Sequence, residues 1–222
     1  MVKNIIHQIT GPRANDFINL CLNSWHFLKD HGFEIITWDD ESIKNFIKEK
    51  APFALMAFEQ ARNHGEASDI ARYLIIYHHG GYYVDWDIKL TRIDLFLNLH
   101  REFRNGYLLI DPKTGVISSE HFAASANEGY LLKITHDIIN TFNNGDRPLM
   151  DTPSYSGPNR MKVSLQKHNG SRQTVIPIKT VFEYDYWEIK KADGKGRSKP
   201  MIHYWLNTWV LANHAKYPIT NQ

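Results

Sequence analysis

Two aspartates separated by one residue are the most distinctive chemical feature of the sequence. Asp85 and Asp87 follow an apolar run, residues 82–84, which itself follows Gly80 and Gly81. On an extended segment, side chains two positions apart point to the same side, and two carboxylates held that close repel each other unless a cation lies between them. Oxygen ligands suit Mg²⁺ or Mn²⁺, which also bind phosphate. The pair therefore predicts a divalent-metal site, with two solvated carboxylates on a turn as the alternative.

Two weaker signals lie on either side of this motif. Asp69 and Arg72 are three residues apart on a predicted helix and can form an ion pair, either on the surface or at the rim of a sugar or diphosphate site. His203 is a possible transition-metal ligand, although a single histidine is more often structural. Trp205 and Trp209 follow it as core anchors or as platforms for a sugar ring or a base, whereas Trp86 is predicted to face the core.

The hydrophobic periodicity predicts an α/β protein whose strand ends position these residues. The predicted strands cover 3–9, 33–38, 82–84, 107–111, 115–118, 122–124 and 175–178, and the predicted helices cover 14–29, 41–50, 52–63, 66–79, 127–142 and 158–168. Asn127 is the predicted N-cap of its helix. The β-α-β order at the start predicts an α/β sheet, and the end of a strand is the usual place for a ligand in such a sheet.

Composition narrows the class of protein. The chain has 222 residues, 42% of them hydrophobic, which predicts one folded domain spanning 1–222 rather than a disordered chain. A net charge of +2 does not favour nucleic-acid binding, and a single cysteine, Cys21, excludes a disulfide framework and a cysteine-rich zinc site. The N-terminus has no signal-peptide layout, and the uncharged runs at residues 73–84 and 200–215 are too short to span a bilayer. We therefore expect a cytoplasmic protein.

A basic segment stands out near the C-terminus. Residues 190–199 hold five basic residues and one acidic residue. They are predicted to form a solvated, mobile loop, with a phosphate-attracting lid or a peripheral contact with the anionic inner membrane face as the alternatives.

Taken in order, these motifs resemble a known family. The order runs from residues 5–8 (IIHQ) through 67–95 (ASDIARYLIIYHHGGYYVDWDIKLTRIDL) and 156–158 (SGP) to His203 and the pair Thr208-Trp209. It resembles glycosyltransferase family 32, the DXD sugar-binding enzymes akin to initiating mannosyltransferases and capsular polysaccharide transferases. It is also distantly similar to the clostridial toxin glucosyltransferase domain.

The resemblance implies a GT-A fold, a Rossmann-like domain with a mixed central sheet flanked by helices, and a retaining hexosyltransferase. It implies Mn²⁺, or Mg²⁺, held by Asp85, Asp87 and His203, and catalytic roles for Asp87, Asp85, Arg72 and Asp69. The implied donor-binding residues are His7, Gln8, Ile9, Asp69, Arg72, Tyr83, Asp85, Trp86, Gly157, Thr208 and Trp209. The implied partners are a nucleotide sugar, with UDP favoured and GDP-mannose possible, and a glycan or lipid-linked acceptor in surface polysaccharide synthesis.

The sequence departs from the family at two positions and leaves other functions open. Thr10 stands where the family often has tryptophan, which leaves the base undetermined, and Thr208 replaces a serine. No carboxylate nucleophile is evident in the motif, so we expect same-face substitution. The main alternative is a non-catalytic nucleotide-sugar-binding module. A haloacid-dehalogenase-type phosphatase is disfavoured because Lys89 replaces the residue its motif requires, and a structural protein leaves the acidic pair unexplained.

Overall fold

The structure, a computed structural model, describes residues 1–11, 14–168, 171–193 and 198–206. Its strands are β1 (Ile5–Ile9), β2 (Glu34–Trp38), β3 (Gly81–Val84), β4 (Ile88–Leu90), β5 (Gly106–Ile110), β6 (His121–Ala124), β7 (Thr174–Pro177) and β8 (Met201–His203). Its α-helices are α1 (Asp16–Asn23), α2 (Asp40–Lys50), α3 (Leu55–Glu59), α4 (His64–His79), α5 (Ile93–Glu102), α6 (Gly129–Asn143), α7 (Thr152–Tyr155) and α8 (Pro158–His168). Alternation of strands and helices confirms the predicted α/β class.

The described part of the chain builds a six-stranded mixed sheet in the order β2-β1-β3-β6-β5-β7. Strand β6 runs antiparallel to both of its neighbours, whereas β1 is parallel to β2 and β3, and β5 is parallel to β7. The carboxyl ends of β1, β3, β5 and β7 therefore share one edge with the start of β6. Ligand sites of α/β sheets lie at such an edge.

Helices cover both faces of the sheet, as predicted. Along β3, Tyr82 and Val84 belong to one hydrophobic cluster, whereas Tyr83 belongs to the other. The same alternation occurs along β6, where Phe122 and Ala123 lie on opposite faces. Because consecutive side chains of a strand point to opposite faces, nearly continuous apolar strands are what a sheet covered on both faces requires.

Two glycines connect α4 to β3 in a way other residues could not. Gly80, at the C-terminus of α4, has φ 71°, and Gly81 has φ 107°. A Cβ on Gly81 would lie 2.5 Å from the carbonyl oxygen of Ile5 in β1. The pair therefore permits both the sharp turn and the close approach of β3 to β1.

Several predicted elements have different bounds in the structure. The predicted helix 14–29 is wrong at its centre, because α1 ends at Asn23 and a separate 3₁₀-helix covers His26–His31. The Ser24 hydroxyl accepts a hydrogen bond from the Leu90 amide and the Trp25 indole donates to the Ile88 carbonyl, so the chain bends there to meet β4.

Three further predictions need correction. Residues 115–118 do not form a strand, since Ile117 makes only an isolated bridge to Ile110. Residues 52–63 hold a 3₁₀-helix, Pro52–Ala54, followed by the short α3. Asn127 is not an N-cap: its φ is 59°, and Glu128 occupies the N-cap position of α6.

Within the described ranges, no helix combines the length and the apolar character needed to cross a bilayer. The expected cytoplasmic location remains a prediction.

Candidate functional site

A cavity of about 390 Å³ opens at the edge where β3, β5 and β7 end. The residues after β3 supply Asp85 and Asp87, and the segment before the antiparallel β6 supplies Glu120. Helix α4 contributes Asp69 and Arg72. The chain thus brings the predicted acidic pair and the predicted ion pair into one cavity.

Asp85 and Asp87 lie on a turn and not on the extended segment that the sequence predicts. The Ile88 amide donates to the Asp85 carbonyl over 3.1 Å, which closes a four-residue turn. The Asp85 amide donates to the Glu120 carbonyl over 2.9 Å, which fixes the turn to the start of β6. The two carboxylates still converge, but because of the turn rather than strand alternation.

Pairing of two short strands brings His203 to this turn. In the antiparallel pair β4 and β8, Ile88 stands opposite His203. The His203 Nε2 atom lies 3.3 Å from Asp87 Oδ1, and the Leu206 amide donates to Asp87 Oδ2 over 2.8 Å. The predicted association of His203 with the aspartates is therefore present in the fold.

The ion pair of Asp87 and His203 changes the pKa of both groups. Burial alone would raise the pKa of Asp87, but His203 and the Leu206 amide hold it below its usual value. Burial alone would lower the pKa of His203, but Asp87 raises it. Asp87 and His203 therefore favour each other's charged forms.

Asp85, Asp87 and His203 fit a divalent cation. Their ligand atoms all lie within 4.8 Å of one another, and the donor set of two carboxylates and one imidazole suits Mn²⁺. The Nδ1 atom of His203 is buried and has no hydrogen-bond partner among the described residues. An unpaired buried nitrogen in such a cluster is costly unless a ligand satisfies it.

Arg72 is buried and extensively hydrogen-bonded, so the surface salt bridge that the sequence left open is excluded. Its Nη2 atom lies 3.3 Å from Asp69 Oδ1 and 3.4 Å from Asp85 Oδ1. Its Nη1 donates to the Ser119 carbonyl over 2.7 Å, and its Nε donates to the Ser68 carbonyl over 3.2 Å. Arg72 therefore holds the two aspartates in place.

Asp69 is a buried carboxylate and Asp85 a half-buried one, and both have raised pKa values. Burial raises the pKa of Asp69 to about 7, although Arg72 and the Ser156 hydroxyl, 2.7 Å from Asp69 Oδ2, favour its charged form. Burial also raises the pKa of Asp85 to about 6, against the opposing effect of Arg72. The Tyr83 hydroxyl donates to Asp85 Oδ1 over 2.5 Å. Strongly perturbed carboxylates in a cavity are typical of functional sites.

The predicted donor-binding residues divide into those in the cavity and those outside it. Trp86 and Gly157 line the cavity, and the indole of Trp86 stacks on His64 rather than packing in the core. A Cβ on Gly157 would lie 3.1 Å from the Cα of Pro153, so a glycine here keeps the wall of the cavity clear. Tyr83 is buried behind Asp85 and contacts its carboxylate. The predicted residues Thr208 and Trp209 lie outside the described residues.

The residues of β1 are buried in the sheet rather than brought to the cavity. The indole of Trp38 donates to His7 Nδ1 over 3.1 Å, so Nε2 carries the proton and donates to the Gly80 carbonyl over 3.0 Å. The Gln8 amide donates to the Leu22 carbonyl, and Ile9 belongs to the hydrophobic core. Their side chains have structural partners and do not line the cavity.

The structure adds cavity residues that sequence reasoning missed. Glu120 contributes a further carboxylate, hydrogen-bonded to the Ser118 hydroxyl. Asp185, Tyr186 and Trp187 line the opposite rim. The run of aromatic and acidic residues at 184–187 (YDYW) was a visible signal for this rim.

Residues 16–98 match the family described as a glycosyltransferase sugar-binding region containing a DXD motif. An inositol phosphoceramide mannosyltransferase of Schizosaccharomyces pombe is 26% identical over 143 residues, which are 62% of this chain and 43% of that protein. The chain thus spans less than half the length of this curated relative.

Two solved structures share the fold. The PaToxG glycosyltransferase superposes with a TM-score of 0.54 and 14% identity, over 76% of this chain and 69% of that one. A glycosyltransferase involved in glycosylation of the major capsid of PBCV-1 gives a TM-score of 0.52 and 14% identity, over 96% of this chain and 100% of that one.

These matches confirm the predicted GT-A fold and the resemblance to DXD glycosyltransferases. The matched segment 16–98 contains Asp69, Arg72 and the aspartate pair.

Proposed function

We propose that this chain is a metal-dependent, retaining glycosyltransferase that moves a hexose from a nucleotide sugar to a hydroxyl group of a glycan or lipid-linked acceptor. The observation that carries the proposal is the cluster of Asp85, Asp87 and His203 at the base of a cavity that also holds Asp69. Such a cluster suits a reaction in which negative charge develops on a leaving diphosphate.

Asp85, Asp87 and His203 would hold Mn²⁺ or Mg²⁺, and the bound ion would neutralise charge on the leaving diphosphate. Tyr83 and Arg72 orient the Asp85 carboxylate, and the Leu206 amide and His203 orient that of Asp87. Asp69 stands beside Gly157 and is placed to accept a hydrogen bond from a sugar hydroxyl. Arg72 acts chiefly by positioning these carboxylates, because its guanidinium already has four partners.

Glu120 is the residue at which two possible routes of substitution can be told apart. Same-face substitution, in which the leaving diphosphate takes the acceptor proton, needs no protein nucleophile. The other route uses a protein carboxylate as nucleophile and forms a covalent glycosyl-enzyme. Glu120 places a further carboxylate in the cavity and is a candidate for that nucleophile. We expect Glu120→Gln to keep turnover and wild-type to form no covalent adduct; a glycosyl group found on Glu120 by mass spectrometry would contradict same-face substitution.

The proposed donor sugar is a hexose, and the similarity to a yeast mannosyltransferase favours mannose. The residues that line the cavity do not identify the nucleobase of the donor, because His7, Gln8 and Ile9 lie outside the cavity. A role in capsular polysaccharide synthesis and a peripheral membrane contact of the basic loop 190–199 remain parts of the proposal. Residues 194–197 of that loop lie outside the described residues.

Thermal unfolding with UDP or GDP, each with and without Mn²⁺, tests the proposal. A ligand at about 100 times its Kd adds ~2.7 kcal/mol, which for a domain of this size is a shift of roughly 5–10 °C. We expect one nucleotide to raise the Tm only when Mn²⁺ is present. No shift with either nucleotide would contradict the proposed donor site.

Two variants make the test specific. Asp87→Asn removes a charge from the metal cluster and is expected to abolish the Mn²⁺-dependent shift. Asp94→Asn removes an exposed carboxylate outside the cavity and is expected to leave the shift unchanged.

Turnover separates the enzyme from the non-catalytic binding module. The enzyme is expected to release UDP or GDP slowly from UDP-glucose, UDP-galactose, UDP-N-acetylglucosamine or GDP-mannose, because water can replace the acceptor. A nucleotide-dependent rise in Tm without release from any of these donors would favour the binding module.

A further inference from the structure

The two ends of the cavity differ in chemistry, and different strands of the sheet supply their residues. Strand β6 lies between β3 and β5, so these two strands are two spacings, or about 9.5 Å, apart. The cavity end beside α4 and β3 holds Gly65, Trp86 and the metal cluster. The other end consists of residues that follow β5 and β7, including Lys113 and the rim residues Asp185, Tyr186 and Trp187.

Trp187 is an exposed aromatic residue on an unusually well-fixed turn. Its side chain is 68% exposed although it lines the cavity. The carboxylate of Asp185 accepts the backbone amides of Trp187 and Glu188, each over 2.9 Å, and Glu188 Oε2 accepts the Asp185 amide over 2.8 Å. These reciprocal bonds form a capping box, which holds the backbone that presents the indole.

Two ion pairs tie this turn to the rest of the molecule. Lys113, which follows β5, lies with its Nζ 3.1 Å from Asp185 Oδ2. Lys179, which follows β7, lies with its Nζ 2.5 Å from Glu188 Oε2. Tyr186 packs edge-on against Trp187, with ring centroids 5.1 Å apart, and also against Trp205. Lys190 Nζ also lies 5.2 Å from the centroid of the Trp187 ring, so the ammonium covers part of one face and the partly exposed indole is held in place before any ligand arrives.

A flat aromatic face beside charged hydrogen-bonding groups matches the surface of a six-membered polyol ring. The C–H groups on one face of such a ring contact the electron-rich indole face, while its hydroxyls reach polar neighbours. Lys113 supplies donors and Asp185 supplies acceptors at this rim. Small-molecule sites combine apolar walls with a few such polar groups.

We propose that the rim formed by Lys113, Asp185, Tyr186 and Trp187 is the acceptor subsite, in which the indole of Trp187 stacks on a hexose or cyclitol ring. This inference rests on the proposed transferase function, because it places the acceptor ring at the end of the cavity away from α4 and β1. An acceptor hydroxyl on that ring then faces a donor sugar held near Asp69 and the metal cluster.

Saturation-transfer NMR on the full chain tests the subsite with methyl α-D-mannopyranoside and myo-inositol as separate probes. We expect at least one ring to receive saturation from wild-type protein. Trp187→Ala is expected to lower that signal at least fivefold, and Trp187→Phe to retain most of it because a flat ring remains. A response to the mannoside alone indicates a sugar acceptor, and a response to inositol alone indicates a cyclitol.

The matched control is Phe27→Ala, because Phe27 is 64% exposed and does not line the cavity. It is expected to leave the ring signal unchanged. No signal from either ring with wild-type protein, or an equal loss in Phe27→Ala, would overturn the proposed subsite.

The nucleotide-induced rise in Tm is measured on the same variants. Trp187→Ala is expected to leave it unchanged, which separates the acceptor end from the donor end. A loss of the nucleotide shift with the ring signal intact would assign Trp187 to the donor and overturn the inference. Failure of the transferase proposal is distinguishable, because it removes the nucleotide shift from wild-type protein as well.

Discussion

At the scale of single residues, the site depends on groups that orient carboxylates rather than on the carboxylates alone. Tyr83 and Arg72 both contact Asp85 Oδ1, and the Arg72 guanidinium also lies over the Tyr83 ring, 4.5 Å from its centroid. Groups that orient a metal ligand in this way tune the affinity of the site for its metal.

Tyr83→Phe is expected to weaken metal binding while keeping the fold, because the ring continues to pack and only the hydroxyl is lost. Loss of a ligand-orienting hydrogen bond typically lowers metal affinity by about 10–100-fold. The Mn²⁺ concentration that gives half of the nucleotide-dependent rise in Tm measures this change. Tyr82→Phe is the matched control, because its buried hydroxyl bonds to His100 away from the site; equal Mn²⁺ requirements for the two variants would exclude an orienting role for Tyr83.

Arg72→Lys is expected to be destabilising although it keeps the charge. A lysine cannot reproduce the fork that contacts Asp69, Asp85 and the Ser119 carbonyl together. Leaving buried carboxylates incompletely paired typically costs about 3–5 kcal/mol. Urea unfolding measures the loss, and Arg92→Lys, at an exposed pair with Asp94, is expected to change stability by no more than ~0.5 kcal/mol. Similar losses in both variants would contradict the positioning role.

Residue types and spacing predicted the reactive groups but not all their surroundings. The sequence pointed to Asp69, Arg72 and the aspartate pair because all four lie in the segment 67–95, where the resemblance to the DXD family is densest. It could not show that His7 is held by Trp38 and Gly80, since neither partner is near it in sequence. Trp187 was missed although it lies in the aromatic and acidic run 184–187, because nothing in the local pattern shows that this run meets residues after β5 at the cavity.

At the scale of elements, the joint between α4 and β3 sets the position of the acidic turn. Gly81→Ala is expected to lower stability by more than about 3 kcal/mol, because its Cβ would lie 2.5 Å from the Ile5 carbonyl oxygen and its φ is 107°. Thermal unfolding measures this loss. Gly129→Ala, at the start of α6 with no heavy atom within 4 Å of its Cβ, is expected to be neutral or stabilising by ~0.4–1 kcal/mol. A Gly81→Ala protein as stable as Gly129→Ala would contradict the close β1–β3 approach.

Long, periodic elements were predictable, whereas short elements with distant partners were not. Helices α2, α4 and α8 agree closely with the predictions because each carries its own apolar stripe or cap. Strands β4 and β8 have three residues each and exist through their pairing with each other. That pairing, which delivers His203 to Asp87, depends on contacts that no local pattern contains.

At the scale of the whole molecule, a neutral histidine in the middle of the sheet links stability to pH. His7 is fully buried and uses both ring nitrogens: Nδ1 accepts from Trp38, and Nε2 donates to Gly80. Burial, together with the smaller effects of His79 and Lys3, lowers the pKa of His7 to about 3, although its hydrogen bond to the Gly80 carbonyl opposes this change. Protonation at Nδ1 would place a second N–H against the indole N–H of Trp38.

The native state therefore resists protonation that the unfolded chain accepts. The pKa of His7 is near 6.5 in the unfolded chain and about 3 in the folded protein, so between these pH values only the unfolded chain binds the proton. The contribution of His7 to the free energy of unfolding is therefore fully present above pH 6.5 and is lost as the pH falls towards 3. At pH 4.5, two pH units below the unfolded value, the loss is roughly 2–3 kcal/mol.

Urea unfolding at pH 7.5 and pH 4.5, for wild-type protein and His7→Gln, isolates this contribution. The glutamine variant is less stable at both pH values, but it has no imidazole to protonate, and the other titrating groups are shared. We expect wild-type protein to lose ~2 kcal/mol more than His7→Gln between the two pH values. Equal losses would mean that His7 is charged or exposed in the folded protein, which would contradict its buried place on β1 between Trp38 and Gly80.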